Sequence, residues 1–195
     1  MNDRSAVFLD RDGVLNAPVA TEPGHRPPWT IEELVVEPAA PAALQSLRRA
    51  GYLLIVVTNQ PDIAAGRLDA AQADRINRRL AEVLRVDEIV VCPHATEEHC
   101  RCKKPAPGML LDAARKWSID LARSWMVGDR WVDIAAGRAA GVRTVLTENE
   151  SSWNPTSAGA PPSDLGPDAT VDGIATAATY ILHADTADAT RPRLP

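Results

Sequence analysis

The residues that speak most directly of chemistry are acids placed just beyond apolar runs. Asp10-Arg11-Asp12-Gly13-Val14 follows Ala6-Val7-Phe8-Leu9 directly. Two carboxylates at i and i+2 past a strand end can stand side by side on a loop and share one cation. Gly13 permits the sharp turn this needs. Far along the chain, Gly128-Asp129-Arg130-Trp131-Val132-Asp133 follows a second apolar run, Trp125-Met126-Val127. Neighbouring strands would bring these acids to one place. Clustered carboxylates offer hard oxygens that suit Mg2+, an ion that keeps several waters and takes further ligands from substrate phosphate. Singly, each acid could equally be a turn former or a helix cap. The two motifs together, with the elements between them, are the specific signal.

A second constellation is softer. Cys92-Pro93-His94 and Cys100-Arg101-Cys102 form a C-x-H…C-x-C set with five residues between the pairs. Three sulfurs and one imidazole suit tetrahedral Zn2+, and four protein ligands leave no open position, so such a zinc would be structural. His99 adjoins the second pair as an alternative to His94. An odd number of cysteines this close together is not a disulfide framework. Cys102 immediately precedes Lys103 and Lys104, so fixing the loop would fix two ammonium groups.

These groups must be positioned by regular elements. Short apolar runs without alternation, at Ala6–Leu9, Leu53–Val57, Ile89–Val91, Trp125–Val127 and Thr144–Leu146, read as strands buried on both faces. Helices are expected at about Pro41–Ala50, Ala70–Leu84, Pro107–Trp117 and Trp131–Ala140, with Asp69 as an N-cap and Gly51 and Gly141 past C-termini. This alternation predicts an α/β fold, a mainly parallel sheet with helices on both faces. Such sheets carry their chemistry in loops at the carboxyl ends of strands, where every conspicuous polar cluster falls. One domain is expected over residues 1–182, with a long loop at 149–167, a short strand near Ala169–Val171 and a helix near Ile174–Leu182. A frayed tail is expected over 183–195.

Composition narrows the functional classes. With 21 Lys+Arg against 26 Asp+Glu, the net charge of −5 is a poor match for nucleic acid or an anionic membrane. No stretch approaches the roughly 18 apolar residues of a membrane span, and the apolar run near the start is too short for a signal peptide. A cytoplasmic, monomeric enzyme is the expectation.

Phe8-Leu9-Asp10-Arg11-Asp12-Gly13-Val14 resembles the nucleophile motif of the haloacid dehalogenase superfamily. Val57-Thr58-Asn59-Gln60, Lys103-Lys104-Pro105 and Gly128-Asp129-x-x-x-Asp133 are similar to its other three motifs, in order. The cysteine loop narrows the resemblance, which covers about residues 6–147, to the branch of heptose bisphosphate and histidinol phosphate phosphatases. It implies a Rossmann-like fold with no large cap domain. Asp10 would be the nucleophile, forming an aspartyl-phosphate, and Asp12 the general acid that then becomes the base. Mg2+ would bind the Asp10 carboxylate, the Asp12 backbone carbonyl and Asp129, with Asp133 behind them. Thr58 and Lys104 would hold the transferring phosphoryl group. Arg11, Asn59, Gln60, Lys103 and Arg130 are the expected substrate contacts, and Cys92, His94, Cys100 and Cys102 the zinc ligands.

The chemistry asks for these residue types independently. A carboxylate facing a phosphate dianion is repelled, so a metal and an ammonium must neutralise the site. The transition state spreads charge over equatorial oxygens, which Lys104, Thr58 and Mg2+ suit. The resemblance implies as substrate a small phosphorylated metabolite, foremost D-glycero-D-manno-heptose 1,7-bisphosphate losing its 7-phosphate. Histidinol phosphate is the alternative within the class. A zinc-stabilised module that binds phosphate ligands without turnover is the alternative outside it. With no room for a cap, specificity would come from Ala17–Trp29, Gln60–Arg67, Lys103 and Arg130. Arginines of the heptose phosphatase pattern are replaced by Ala65 and Lys103. Trp29 and Trp131 are read as packing residues rather than as stacking surfaces for a ring. Arg26, Arg67 and Arg130 are open as contacts to a second anionic group.

Overall fold

The computed structural model describes residues 4–22, 24–95 and 98–190, with the backbone alone over 185–190. Six strands form one parallel sheet: β1 (Ala6–Leu9), β4 (Leu53–Asn59), β5 (Glu88–Cys92), β6 (Trp125–Gly128), β7 (Arg143–Thr147) and β8 (Ala169–Val171), in the order β5-β4-β1-β6-β7-β8. A two-stranded antiparallel hairpin, β2 (Val19–Ala20) and β3 (His25–Arg26), rises from the loop after β1. The helices are α1 (Ala40–Arg49), α2 (Pro61–Ala64), α3 (Ala70–Leu84), α4 (Gly108–Trp117), α5 (Trp131–Ala140) and α6 (Ile174–Thr190).

The unalternating apolar runs are explained by two cores, one on each face. Val7 and Leu9, with Leu54, Val56, Trp125 and Val127, pack against Leu44 and Leu47 of α1, Leu80 of α3 and Ile181 of α6. Ala6 and Phe8, with Ile55, Val57 and Met126, pack against Met109 and Leu110 of α4 and Ala136 of α5. Successive residues of one strand therefore meet different helices, and every position must be apolar. The expected α/β class and its doubly covered sheet are what the chain forms.

Helix positions follow the expected signals closely. Asp69 caps α3 by accepting the Gln72 N–H at 3.2 Å, and Gly141 ends α5 in the left-handed region at φ 82°. The hairpin and the four-residue α2 are additions that periodicity could not show. One correction concerns the tail: α6 continues to Thr190 rather than fraying after Leu182. Residues 191–195 of the expected tail lie outside the described residues. The long loop is observed, with no helix or strand between Thr147 and Ala169. No helix among the described residues is long and apolar enough to cross a membrane.

Candidate active site

Four strand ends meet at the carboxyl edge of the sheet. Asp10 leaves β1 with its N–H donated to the Val127 carbonyl at 2.9 Å. Thr58 and Asn59 close β4, Asp129 follows β6, and Asn149 lies just past β7. Carboxylate oxygens of Asp10, Asp129 and Asp133 lie within 4.8 Å of one another. The glycines of both motifs allow this crowding. A Cβ on Gly13, which sits at φ +90°, would come 2.4 Å from Asp129 Oδ2, and one on Gly128 would come 2.1 Å from Asp133 Cβ.

Lys104 reaches into the acids from the loop between β5 and α4. It is only 3% exposed, and its Nζ lies 2.6 Å from Asp10 Oδ1 and 2.6 Å from Asp133 Oδ1. It also donates to the Val57 carbonyl at 2.8 Å. Burial pulls the ammonium's pKa down, but Asp10 and Asp133 outweigh it and raise it, so Lys104 stays charged. Asp133 also serves the backbone, because its Oδ2 accepts the Arg130 N–H at 3.0 Å and so closes the start of α5.

Three carboxylates against one ammonium leave the cluster net negative. Burial is the main force that pushes the Asp10 carboxyl above its ordinary range. Burial, reinforced by Asp10 and Asp133, pushes Asp129 up to about 8. Asp129 Oδ2 accepts from Asn149 Nδ2 at 3.1 Å, whereas its Oδ1 is buried with no hydrogen-bond partner. An orphaned carboxylate oxygen in a buried anionic cluster is what a hard divalent cation satisfies. The donor set fits Mg2+.

Asp12 stands outside this trio and is held differently. Its carboxylate accepts from Arg11 Nη2 at 2.9 Å, Gln60 Nε2 at 2.7 Å and Asn16 Nδ2 at 3.0 Å. Gln60 also donates to Thr58 Oγ1 at 2.9 Å. These contacts correct two expectations. Arg11 and Gln60 are both 0% exposed and do not line the cavity; they face the back of Asp12 rather than a substrate. Asn59 borders the cavity, but its amide grips the Lys104 backbone, with Nδ2 to the carbonyl and Oδ1 from the N–H, both at 3.0 Å. A polar residue at a strand end can turn inward or outward, and the sequence carries no sign of which.

The cavity over this cluster has a volume of about 850 Å3. Asp10, Asp12, Thr58, Lys104, Asp129 and Asp133 line it, joined by Lys103 and Arg130. The hairpin contributes Gly24–Pro27 to one wall. The loop after β7 contributes Asn149–Ser151 and Asn154–Ala158 to another. That second wall, and the Asn149 bond to Asp129, were missed by sequence reasoning. The rule that chemistry follows strand ends would have found Asn149 had it been applied to β7. Arg26 faces the cavity already paired with Glu33 through two hydrogen bonds of 2.9 and 2.6 Å. Arg67 pairs with Asp62 at 2.6 Å and is not on the wall. Trp29 Nε1 donates to Asp62 and Trp131 Nε1 to the Asn154 carbonyl, so both indoles fasten loops, as expected of packing residues.

The cysteine loop starts beside Asn59, which pairs with Cys92 across β4 and β5. The Cys92, Cys100 and Cys102 sulfurs stand 3.2 to 3.6 Å apart, and His94 Nδ1 lies 3.1 Å from Cys102 Sγ. Tetrahedral zinc with bonds near 2.3 Å would place its ligands roughly 3.7 Å apart, so a slight expansion accommodates it. His94 joins this set, and His99 does not. On the outer side, His94 Nε2 is 3.9 Å from Glu98 Oε2.

A family model described as haloacid dehalogenase-like hydrolase matches residues 15–138, and a second model of that kind matches residues 101–177. D-glycero-beta-D-manno-heptose-1,7-bisphosphate 7-phosphatase of Rhodopseudomonas palustris is 35% identical over 159 residues, covering 75% of this chain and 85% of that protein. The enzyme of that name from Pasteurella multocida is 38% identical over 157 residues, covering 74% and 82%. Among solved structures, D,D-heptose 1,7-bisphosphate phosphatase from B. bronchiseptica, complexed with magnesium and phosphate, superposes with a TM-score of 0.75 at 30% identity, covering 92% of this chain and 99% of that one. A model spanning most of the chain and relatives matched over most of their length lead to one conclusion: the chain belongs to the haloacid dehalogenase-like hydrolase family.

Proposed function

We propose that this enzyme removes the 7-phosphate of a heptose 1,7-bisphosphate, using Asp10 as nucleophile. The observation that carries the reading is the acid cluster with Lys104 at its centre, lining an 850 Å3 cavity large enough for a phosphorylated sugar. Similarity to heptose bisphosphate phosphatases supplies the sugar. Asp10 attacks phosphorus and forms an aspartyl-phosphate while Asp12 gives its proton to the departing sugar oxygen. Asp12 then takes a proton from the water that hydrolyses the acyl phosphate. Lys104 and Thr58 hold the equatorial oxygens of the phosphoryl group. Lys103 and Arg130, cationic side chains of the cavity wall, meet the rest of the substrate. Mg2+, held by Asp10 and Asp129 with Asp12 contributing its carbonyl, supplies charge neutralisation when bound. Zn2+ is held by Cys92, His94, Cys100 and Cys102 and has no part in the chemistry.

The test is inorganic phosphate release with Mg2+ from both anomers of heptose 1,7-bisphosphate, histidinol phosphate, and hexose and pentose phosphates. A clear preference for one heptose anomer is the expected result. Equal, weak turnover across the panel would remove the heptose assignment, and preference for histidinol phosphate would replace it.

Metal binding carries its own pH signature. Mg2+ requires ionised carboxylates, and the folded-state pKa of Asp129 is raised to about 8. The acid is therefore protonated below that pH, and protons compete with the ion. Mg2+ affinity is expected to fall by about tenfold per pH unit just below pH 8 and more steeply below about 7, where Asp10 also takes up a proton, with protons released on binding. Calorimetric titrations in buffers of different ionisation enthalpy measure both, and a pH-independent Kd would contradict the arrangement.

A further inference from the structure

We propose that Asn77 of α3 is a positioning residue for Asp12, acting through the buried guanidinium of Arg11. The inference rests on the reading in which Asp12 exchanges a proton with the leaving oxygen. Arg11 uses its Nε and Nη2 on the Asp12 carboxylate at 2.9 to 3.2 Å, and turns Nη1 to Asn77 Oδ1 at 2.8 Å. A guanidinium has only donors, so the amide must present its oxygen, and the contact has one possible polarity. Asn77 is itself 7% exposed and lies on the apolar stripe of α3, among Ala73, Ile76, Leu80 and Leu84. An amide there is costly unless its hydrogen bond does something an aliphatic side chain could not.

What it does is set an angle. Arg11 sits directly before Asp12 on the same loop, so their pairing alone leaves the guanidinium free to pivot with that loop. Asn77 comes from a helix 66 residues away in sequence and ties the far side of the fork to the scaffold. Gln60 and Asn16 brace the carboxylate from two further directions. Asp12 alone among these five residues lines the cavity. A buried ion pair adds little to stability against an apolar replacement. Its product here is one carboxylate held at a fixed orientation toward the departing oxygen.

Leaving-group dependence reads this role. Proton donation matters for a poor leaving group and hardly at all for a good one, and kcat/KM reports steps through the first phosphoryl transfer. With wild-type protein and Mg2+, kcat/KM is measured for p-nitrophenyl phosphate, phenyl phosphate and glycerol 2-phosphate. Asn77→Leu is expected to lose about tenfold or more on the two poorer leaving groups, mostly in kcat, and to stay within about threefold on p-nitrophenyl phosphate. Asn77→Asp keeps an oxygen against Nη1 and is expected to keep the wild-type pattern. Should Asn77→Leu fail to fold, Asn77→Ser carries the same comparison. An equal loss on all three esters, or no loss on any, overturns the assignment. Wild-type protein that releases phosphate neither from these esters nor from heptose 1,7-bisphosphate overturns the phosphatase reading, and this inference with it.

Discussion

Asp10→Asn is expected to cut phosphate release by roughly three to five orders of magnitude while leaving the protein at least as stable. The substitution keeps shape and removes the nucleophilic charge, so no aspartyl-phosphate can form. Its effect on stability has the opposite sign from that of most active-site changes. Burial pushes the Asp10 carboxyl above its ordinary range, which means the folded state disfavours the ionised form. An acid with a raised folded-state pKa lowers stability as pH climbs past its unfolded value, and a neutral amide removes that penalty. Lys104 is not stranded by the change, because Asp133 remains at 2.6 Å and the Val57 carbonyl at 2.8 Å. The variant without added metal is therefore expected to melt at or above the wild-type Tm at neutral pH. Phosphate release and a thermal melt together check the claim, and wild-type turnover by the sequence-verified Asp10→Asn protein would refute the covalent step.

The site was legible in the sequence wherever the residue type and its place at a strand end agreed. Asp10 and Asp129 follow runs that are apolar at every position, such runs mark strands covered on both faces, and Asp133 stands in the first turn of the helix that follows. The sheet then carries the acids to one edge. Lys104 was legible only through the resemblance of Lys103-Lys104-Pro105 to a family motif, with the cysteines marking a loop that could hold it in place. Direction was not legible. Arg11, Asn59 and Gln60 are polar residues in the same loops, yet each turns back to hold Asp12 or Lys104, because a buried carboxylate or strand-end backbone group needs donors and acceptors as much as a substrate does. The wall from Asn149 to Ala158 was hidden for a different reason. Its Ser, Pro and Gly content signals only a loop, and what it faces depends on Trp131, whose backbone N–H and indole N–H donate to the Ser152 and Asn154 carbonyls at 2.8 and 3.1 Å. Long-range anchoring of this kind leaves no local pattern.

Loss of the metal from the cysteine loop is expected to lower both stability and turnover, and Cys100→Ser is the substitution that isolates the effect. Cys92 is buried in the core beneath α4, so changing it would disturb packing as well as ligation. Cys100 is only partly buried. Burial would raise its thiol, but hydrogen bonds from Cys102, the Lys103 backbone and Cys92 overcome this and bring it to about 7, so a thiolate is available for metal. Gly108 donates its N–H to the Arg101 carbonyl at 3.0 Å, and Arg101 pairs with Asp112 at an exposed site where ion pairs add little. If zinc stands a few hundredfold above its Kd, removing it forfeits about 3 kcal/mol, or roughly 9 °C of Tm in a chain of this size. The catalytic cost follows from distance along the chain. Lys104 lies two residues past Cys102, its backbone is gripped by the Asn59 amide, and a zinc in the proposed site would hold the chain on its other side. With one side released, turnover is expected to drop about tenfold or more through loss of Lys104 placement. Elemental analysis should find one zinc per wild-type chain and none in Cys100→Ser. Full activity and an unchanged Tm in the zinc-free variant would show that the loop holds Lys104 without metal.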